Sequence, residues 1–387
     1  MKITAIKTLV VNARMRNWIF VKVETSEPGL HGWGEATTEW KTRGVVGAVD
    51  DLSKLVIGQD PLRVEHLWQV MYRQYFWRRG IVNMSALSSI DQALWDIKGK
   101  EAGKPVHELL GGPVRDTLRF YDHLGGGTLE GMYGTVAPEE FGERIHESID
   151  QGFTAVKAMP IPVSEPVENP KVLKHAAHCV EAMRRVAGDD LDIMVDLHAR
   201  TTPAAAIQFG RRLADYDLYW YEEPCWSEHV EALVEVARAL PFPIATGERL
   251  VTRWEFRDLL EKRACAIVQP DVCHCGGISE ARRIAALAET YLTSVACHNP
   301  VGPVSTMASA HVAFATPNYL IQEMVRKDVP WRNDVVDGHL SIEKGLCQPP
   351  RQPGLGIEVN EAQAAKHPYE PEVLMPSFHR DGSVADW

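Results

Sequence analysis

Leu191-Asp-Ile-Met-Val-Asp-Leu-His198 (LDIMVDLH) decides how this chain is read. Its apolar run has the length of one buried strand, and it ends on Asp196 and His198, with Arg200 following. Strand alternation places Asp196, His198 and Arg200 on one face, just where the strand should stop. Seven further runs have the same build: LRFYDHL (118–124), FTAVKAMP (153–160), LYWYEEP (218–224), FPIATGE (242–248), CAIVQPD (265–271), LTSVACH (292–298) and NYLIQEM (318–324). Helical stretches such as AAAIQFGRRLADY (204–216) and ISEARRIAALAETY (278–291) separate most of them. Eight strands alternating with helices predict a TIM barrel. An open doubly wound sheet is the competitor, but LGGGTLEG (124–131), after the first run, is a triglycine without dinucleotide-binding spacing.

Upstream of the first run the pattern differs. Residues 3–10 and 18–25 read as a hairpin, HGWGEA (31–36) adds a strand, and three helical patterns follow, ending with MSALSSIDQALWDIKGKEAG (84–103). The expected class is α/β: a modified (β/α)8 barrel over 118–345, with an α+β capping domain over 1–117. The segment 346–387 is expected to complete the cap, because GLGIEVNE (354–361) is again strand-like.

Composition narrows the function. The chain has 387 residues, 45% hydrophobic and 24% charged, the profile of an ordinary globular protein. A net charge of −11 with no Lys/Arg block argues against nucleic acid. No run approaches a membrane-spanning length, and Met1 leads straight into a strand pattern, so a cytoplasmic protein is expected. Seven cysteines, mostly single, fit a reducing compartment. Cys273-His274-Cys275 lacks the second matching pair that a zinc site needs.

Information is concentrated at the strand ends. Asp196, Glu222 and Glu248 stand one βα unit apart at the ends of consecutive strands, so they converge at the C-terminal mouth of a barrel. Convergent carboxylates repel one another unless a counter-charge joins them, and a hard divalent cation such as Mg2+ would serve. Single acids at such places often only cap the next helix; three in register argue for a site. Asp271 and His298 end the next two strands, where a carboxylate can orient an imidazole and raise its basicity. His198 shares a face with Asp196, and Glu323 ends the last strand. Lys157 ends the second strand, but Met159 occupies the place of a second lysine.

With these residues the chain resembles the mandelate-racemase branch of the enolase superfamily, and within it the sugar-acid dehydratases, D-galactonate dehydratases foremost. The resemblance runs nearly end to end, through KITAIKT, GWGEA, MSALSSIDQALWDIKGK, VDLHAR, YEEP, GERL, QPDVCHCGGISE, HNPVGPVS and the tail HRDGSVADW. It implies one Mg2+ per subunit on Asp196, Glu222 and Glu248. It implies His298, oriented by Asp271, as the base that removes the α-proton, and His198 as the acid for the departing 3-hydroxyl. Glu323, Arg200, Lys157, Trp18 and His123 are the expected substrate contacts. The implied reaction converts a 2R sugar acid to a 2-keto-3-deoxy acid in a homo-oligomer, with D-galactonate leading and other aldonates or aldarates as alternatives. Met159 disfavours epimerases and cycloisomerases, and a non-catalytic sugar-acid binder is the remaining rival. Three segments diverge from the family: ARMRNW (13–18), read as a longer basic loop, YDHLGGGTLEGMYG (121–134) and PIPVSEPVENP (160–170).

Overall fold

The computed structural model describes residues 1–126, 128–133, 137–373 and 376–387; Gly127 and Gly134 of the divergent segment 121–134 lie outside them. The cap opens with an antiparallel sheet, β1 (Ile3–Ala13), β2 (Arg16–Thr25) and β3 (His31–Glu35). Its helices are α1 (Thr42–Val56), α2 (Val64–Arg73), α3 (Ile81–Ala102) and the short α4 (Val106–Leu109). The segment 13–18 is not a long loop. Pairing continues to Ala13 opposite Arg16, leaving a two-residue turn with Arg14 at φ 64. The Asn12 side chain accepts a hydrogen bond from the Arg14 N–H at 3.1 Å, local compensation that only a short polar side chain supplies.

Helix α3 is buried on almost every side, which its small Ala and Ser residues permit. It lies so close to β3 that a Cβ on Gly34 would stand 1.9 Å from the Ser89 carbonyl oxygen, and one on Gly32 would stand 2.1 Å from that of Ala93. The glycines of GWGE are therefore demanded by backbone packing.

The barrel strands are β4 (Leu118–His123), β5 (Ala155–Ala158), β6 (Asp192–Asp196), β7 (Trp220–Glu222), β8 (Ile244–Thr246), β9 (Ile267–Val268), β10 (Ser294–Val295) and β11 (Gln322–Met324). They pair in parallel from β4 through β10, and β11 returns to pair with β4. A bridge between Val295 and Tyr319 joins the remaining gap. Crossovers are made by α5 (Leu129–Tyr133) with α6 (Pro138–Asp150), α7 (Pro170–Ala187), α8 (Pro203–Leu213), α9 (Val230–Ala239), α10 (Thr252–Glu261), α11 (Gly277–Thr290) and α12 (Pro303–Phe314). Helix α6 carries so many charges that its buried face, Phe141, Gly142, Ile145 and Ser148, leaves little apolar signal in the sequence.

The expected eighth crossover helix is replaced. After β11 come β12 (Val336–Asp337) and β13 (Leu346–Cys347), which pairs antiparallel with β4, and then β14 (Glu358–Val359) against β12. The C-terminal segment thus starts on the barrel before reaching the cap, where Glu358 accepts from the Trp33 indole at 2.9 Å. No described helix is long and apolar enough to cross a membrane.

Two of the buried contacts that join cap to barrel hold α12. The Glu35 carboxylate, at the end of β3, accepts hydrogen bonds from the backbone N–H groups of Gly302 (2.6 Å) and Ser305 (2.8 Å) and from the Thr37 hydroxyl (2.6 Å). It thereby caps α12, where orphan N–H groups and the helix dipole favour an anion. Elsewhere, His107 of α4 lies on His311 of α12, with Nδ1 atoms 3.1 Å apart and rings nearly parallel. His311 Nδ1 accepts from the His107 backbone N–H, so its Nε2 carries the hydrogen donated to the Leu355 carbonyl at 3.0 Å.

Glu35→Ala leaves two backbone donors buried without an acceptor, and unfolding free energy should fall by about 3 kcal/mol in urea denaturation; a loss under about 1 kcal/mol would show that α12 is held by other contacts. For His311, burial lowers the pKa to about 3, so the unfolded chain takes up a proton that the folded chain refuses. This stability is complete above the unfolded value near 6.5 and is lost as pH falls below it. The stability gap between wild type and His311→Gln should therefore narrow below pH 6.5, by up to about 1.4 kcal/mol per pH unit. A gap independent of pH from 7.5 to 5 would contradict this.

Candidate active site

Strands β6 and β7 pair with Asp196 opposite Glu222, and Glu248 follows β8 one register further round. Oxygens of Asp196, Glu222 and Glu248 lie within 4.8 Å of one another. Lys157, from β5, reaches into the same cluster: its Nζ is 3.4 Å from Asp196, 2.7 Å from Glu323 and in contact with Glu222. The lysine, expected as a substrate contact, is a buried counter-ion to these acids and also faces the cavity they line.

One ammonium is too little for these acids. Burial, followed by neighbouring acids such as Asp196, pushes Glu222 up to about 7 despite Lys157. Burial also raises Glu248 well above the carboxylate range, with only His298 and Lys157 opposing. Glu323 and Asp196 are the exceptions: burial acts against both charges, but Lys157 with His298 brings Glu323 down to about 2, and Lys157 with His198 lowers Asp196. Such a cluster, three oxygens close together with surplus negative charge, fits a hard divalent cation, and Asp196, Glu222 and Glu248 could hold one. A second cation-competent group, Asp271, His274 and His298, lies beside it. However, His274 Nε2 is already bonded to the Thr37 carbonyl at 2.8 Å.

His298 and Asp271 meet as expected. Nδ1 of the ring donates to the Asp271 carboxylate at 2.7 Å, which leaves Nε2 free toward Glu248 at 3.6 Å. Burial alone would lower this imidazole's pKa, but Glu248, Asp271 and Glu323 together lift it to about 10. The proton on His298 is thus held by the same carboxylates that crowd the cluster.

His198 stands across the barrel, since β6 and β10 are four strands apart in an eight-strand ring. It lies on a strained turn: His198 and Ala199 have φ of 53° and 56°, the left-handed region. Asp196 accepts from the His198 N–H at 2.7 Å, and Ala199 N–H donates to the Glu223 carbonyl at 2.8 Å. The turn ends the strand face that the alternation predicted. Burial and then Arg200 hold the His198 ring down at about 4, so it is neutral.

These groups line a cavity of about 370 Å³ that includes Asp196, His198, Glu248, His298, Glu323, Lys157 and His123. Two expected contacts are elsewhere. Trp18 is fully buried in the main core, below the guanidinium of Arg332, because ARMRNW is strand rather than loop. Arg200 sits behind His198, with its guanidinium over the Tyr133 ring at 4.8 Å. Residues not anticipated from the sequence complete the wall: Glu39, Trp40, Lys41, Ile81, Tyr133 and Arg249. Arg16 also lines it, paired to Glu39 at 2.9 Å, whereas Arg14 does not. TTEWK (37–41), directly after the GWGEA strand, is the one sequence signal for the cap's share.

Comparison with known proteins agrees with this construction. Residues 2–111 match the mandelate racemase/muconate lactonizing enzyme N-terminal domain, and residues 140–363 match the enolase C-terminal domain-like family. A protein named D-galactonate dehydratase from Verminephrobacter eiseniae (strain EF01-2) is 38% identical, with both chains covered completely. A D-galactonate dehydratase family member from Streptomyces bingchenggensis (strain BCW-1) is also 38% identical, over 100% of this chain and 98% of its own. The crystal structure of a mandelate racemase/muconate lactonizing enzyme from a Sulfitobacter species superposes with a TM-score of 0.89 at 33% identity, covering 96% of each chain. Family matches over both domains, with relatives of this identity along the whole chain, place this protein in the mandelate racemase/muconate lactonizing enzyme family of the enolase superfamily.

Proposed function

We propose that this chain is a sugar-acid dehydratase that converts a 2R aldonate, D-galactonate first among them, to its 2-keto-3-deoxy acid. The observation that carries the reading is a pair of imidazoles on opposite sides of one cavity, each with one nitrogen tied down, above three convergent carboxylates. The relatives named D-galactonate dehydratase support it.

His298 Nε2 takes the proton from C2, and Asp271 holds the ring and stabilises the imidazolium that results. The C2–H electron pair passes into the carboxylate as an enediolate. A divalent cation, Mg2+ by the hard oxygen donors, would be held by Asp196, Glu222 and Glu248 and supplies positive charge for the enediolate oxygens. The enediolate then expels the C3 oxygen, which leaves as water with a proton from His198 Nε2. For that role His198 must carry a second proton, which burial and Arg200 disfavour and for which an anionic substrate supplies a favourable field. The resulting enol tautomerises to the 2-keto acid. Met159, at the place of a second lysine beyond Lys157, packs with Met15, Met132 and Val325, which supports a single-base reading.

Purified protein with Mg2+ and D-galactonate should form a 2-keto-3-deoxy acid, detected by semicarbazide or periodate–thiobarbiturate assay. His298→Asn and His198→Asn should each lower kcat by about 10²–10⁴-fold. If neither a panel of 2R aldonates nor their aldarates is turned over, the reading fails. Chelation should abolish turnover, and restored Mg2+ should raise the thermal midpoint of wild type but not of Glu222→Gln. An equal shift in both would place the cation elsewhere.

A further inference from the structure

The end of the chain lies on the catalytic mouth, and it is built there from both sides. The Trp387 carbonyl is 3.1 Å from His198 Nδ1. The Trp387 ring meets the His198 ring at 5.1 Å between centroids, Trp40 at 4.2 Å and Tyr133 at 4.7 Å, all edge-on. Trp40 holds this place at a left-handed φ of 57°, which a bulky side chain adopts only under tertiary constraint. Trp387 itself does not line the cavity.

An anchor a few residues upstream holds this end down. Residues 377–385 fold on themselves, with a bridge between Phe378 and Val384 and a hydrogen bond from the Ala385 N–H to the Ser377 carbonyl at 3.0 Å. The Arg380 guanidinium donates to the Glu168 carboxylate at 2.9 Å, and the Arg380 N–H donates to Glu165 at 2.9 Å. Glu168 is almost wholly buried, and both its oxygens also accept backbone N–H groups, so it is a fixed post. Glu165 and Glu168 belong to the Pro-rich segment 160–170, which thereby gains a role in holding the tail.

We infer that Trp387 is a positioning residue for His198: its carbonyl and ring fix the imidazole so that Nε2 is the nitrogen offered to the departing hydroxyl. A carbonyl oxygen can only accept, so Nδ1 must carry the hydrogen and the ring cannot flip without losing that bond. The tail therefore governs elimination, while His298 and Asp271 on the far side govern removal of the C2 proton. This assignment of steps rests on the dehydratase reading above.

Two measurements test it. The first needs no turnover: ¹⁵N-histidine NMR of wild type should show His198 as the Nδ1–H tautomer, and Trp387→Ala should convert it to a mixture. The second follows D-galactonate with Mg2+ in D2O. Trp387→Ala should raise the ratio of C2 exchange to elimination at least tenfold, and Trp387→Phe, which keeps a ring there, should restore most of it. Arg380→Ala, remote from the cavity, should move the ratio in the same direction. If the tautomer is unchanged in Trp387→Ala, or exchange and elimination fall in parallel, the inference is wrong. If wild type shows neither reaction, the dehydratase reading falls while the tautomer measurement still decides whether the tail holds His198.

Discussion

The Glu35 carboxylate at the start of α12 is the contact on which the arrangement of this molecule depends. It comes from the cap, is fully buried, and ends the loop that begins at His298. Burial raises its pKa, while the Thr37 hydroxyl and two backbone donors oppose that rise. A helix N-terminus is among the few interior places where a carboxylate finds donors already aimed at it. Gln92 of α3 tightens the junction further, with its amide bonded to both the N–H and carbonyl of Glu35 and to the Val272 carbonyl. This junction thus ties the cap to the loop that carries His298.

Inside the mouth the governing constraint is charge. Lys157 alone cannot balance Asp196, Glu222, Glu248 and Glu323, and the cluster responds by holding protons on Glu222 and on His298. The same surplus that makes the acids attractive to a divalent cation also favours the protonated His298 ring. Glu248 faces both the carboxylate cluster and that ring. On the other side, burial and Arg200 keep His198 neutral. The two imidazoles therefore start from opposite protonation states.

What the amino-acid sequence discloses follows from the period of its signals. Barrel strands end on chemistry-bearing residues one βα unit apart, so Asp196, Glu222, Glu248, Asp271, His298 and Glu323 are legible as a ring from their spacing alone. Contacts between distant segments carry no such period. Nothing near His198 announces that a residue 189 positions later bonds its ring. Trp18 reads as a site residue because a basic stretch between two strand patterns resembles a loop, whereas cross-strand pairing runs through to Ala13 and Arg16. Lys157 is visible, but its three acidic partners come from three other strands. Helix α6 escapes notice because its charged face hides a narrow apolar stripe.

The carboxylates that α3 and β3 bury are completed from far along the chain. Asp91 accepts from the Ser279 N–H at 2.9 Å and its hydroxyl at 2.6 Å, and Asp96 accepts from the Leu355 N–H at 2.7 Å. Glu35 waits for residues 302 and 305. During ribosomal synthesis the first hundred residues therefore emerge with three acids only partly provided for: Thr37 is at hand for Glu35, and Trp33 and Lys100 for Asp96, while the remaining donors have yet to be made. The hydrogen bonding of the cap's buried acids is complete only once segments as far along as residue 355 have been synthesised, so the domain translated first depends on the last part of the chain for its finished interior.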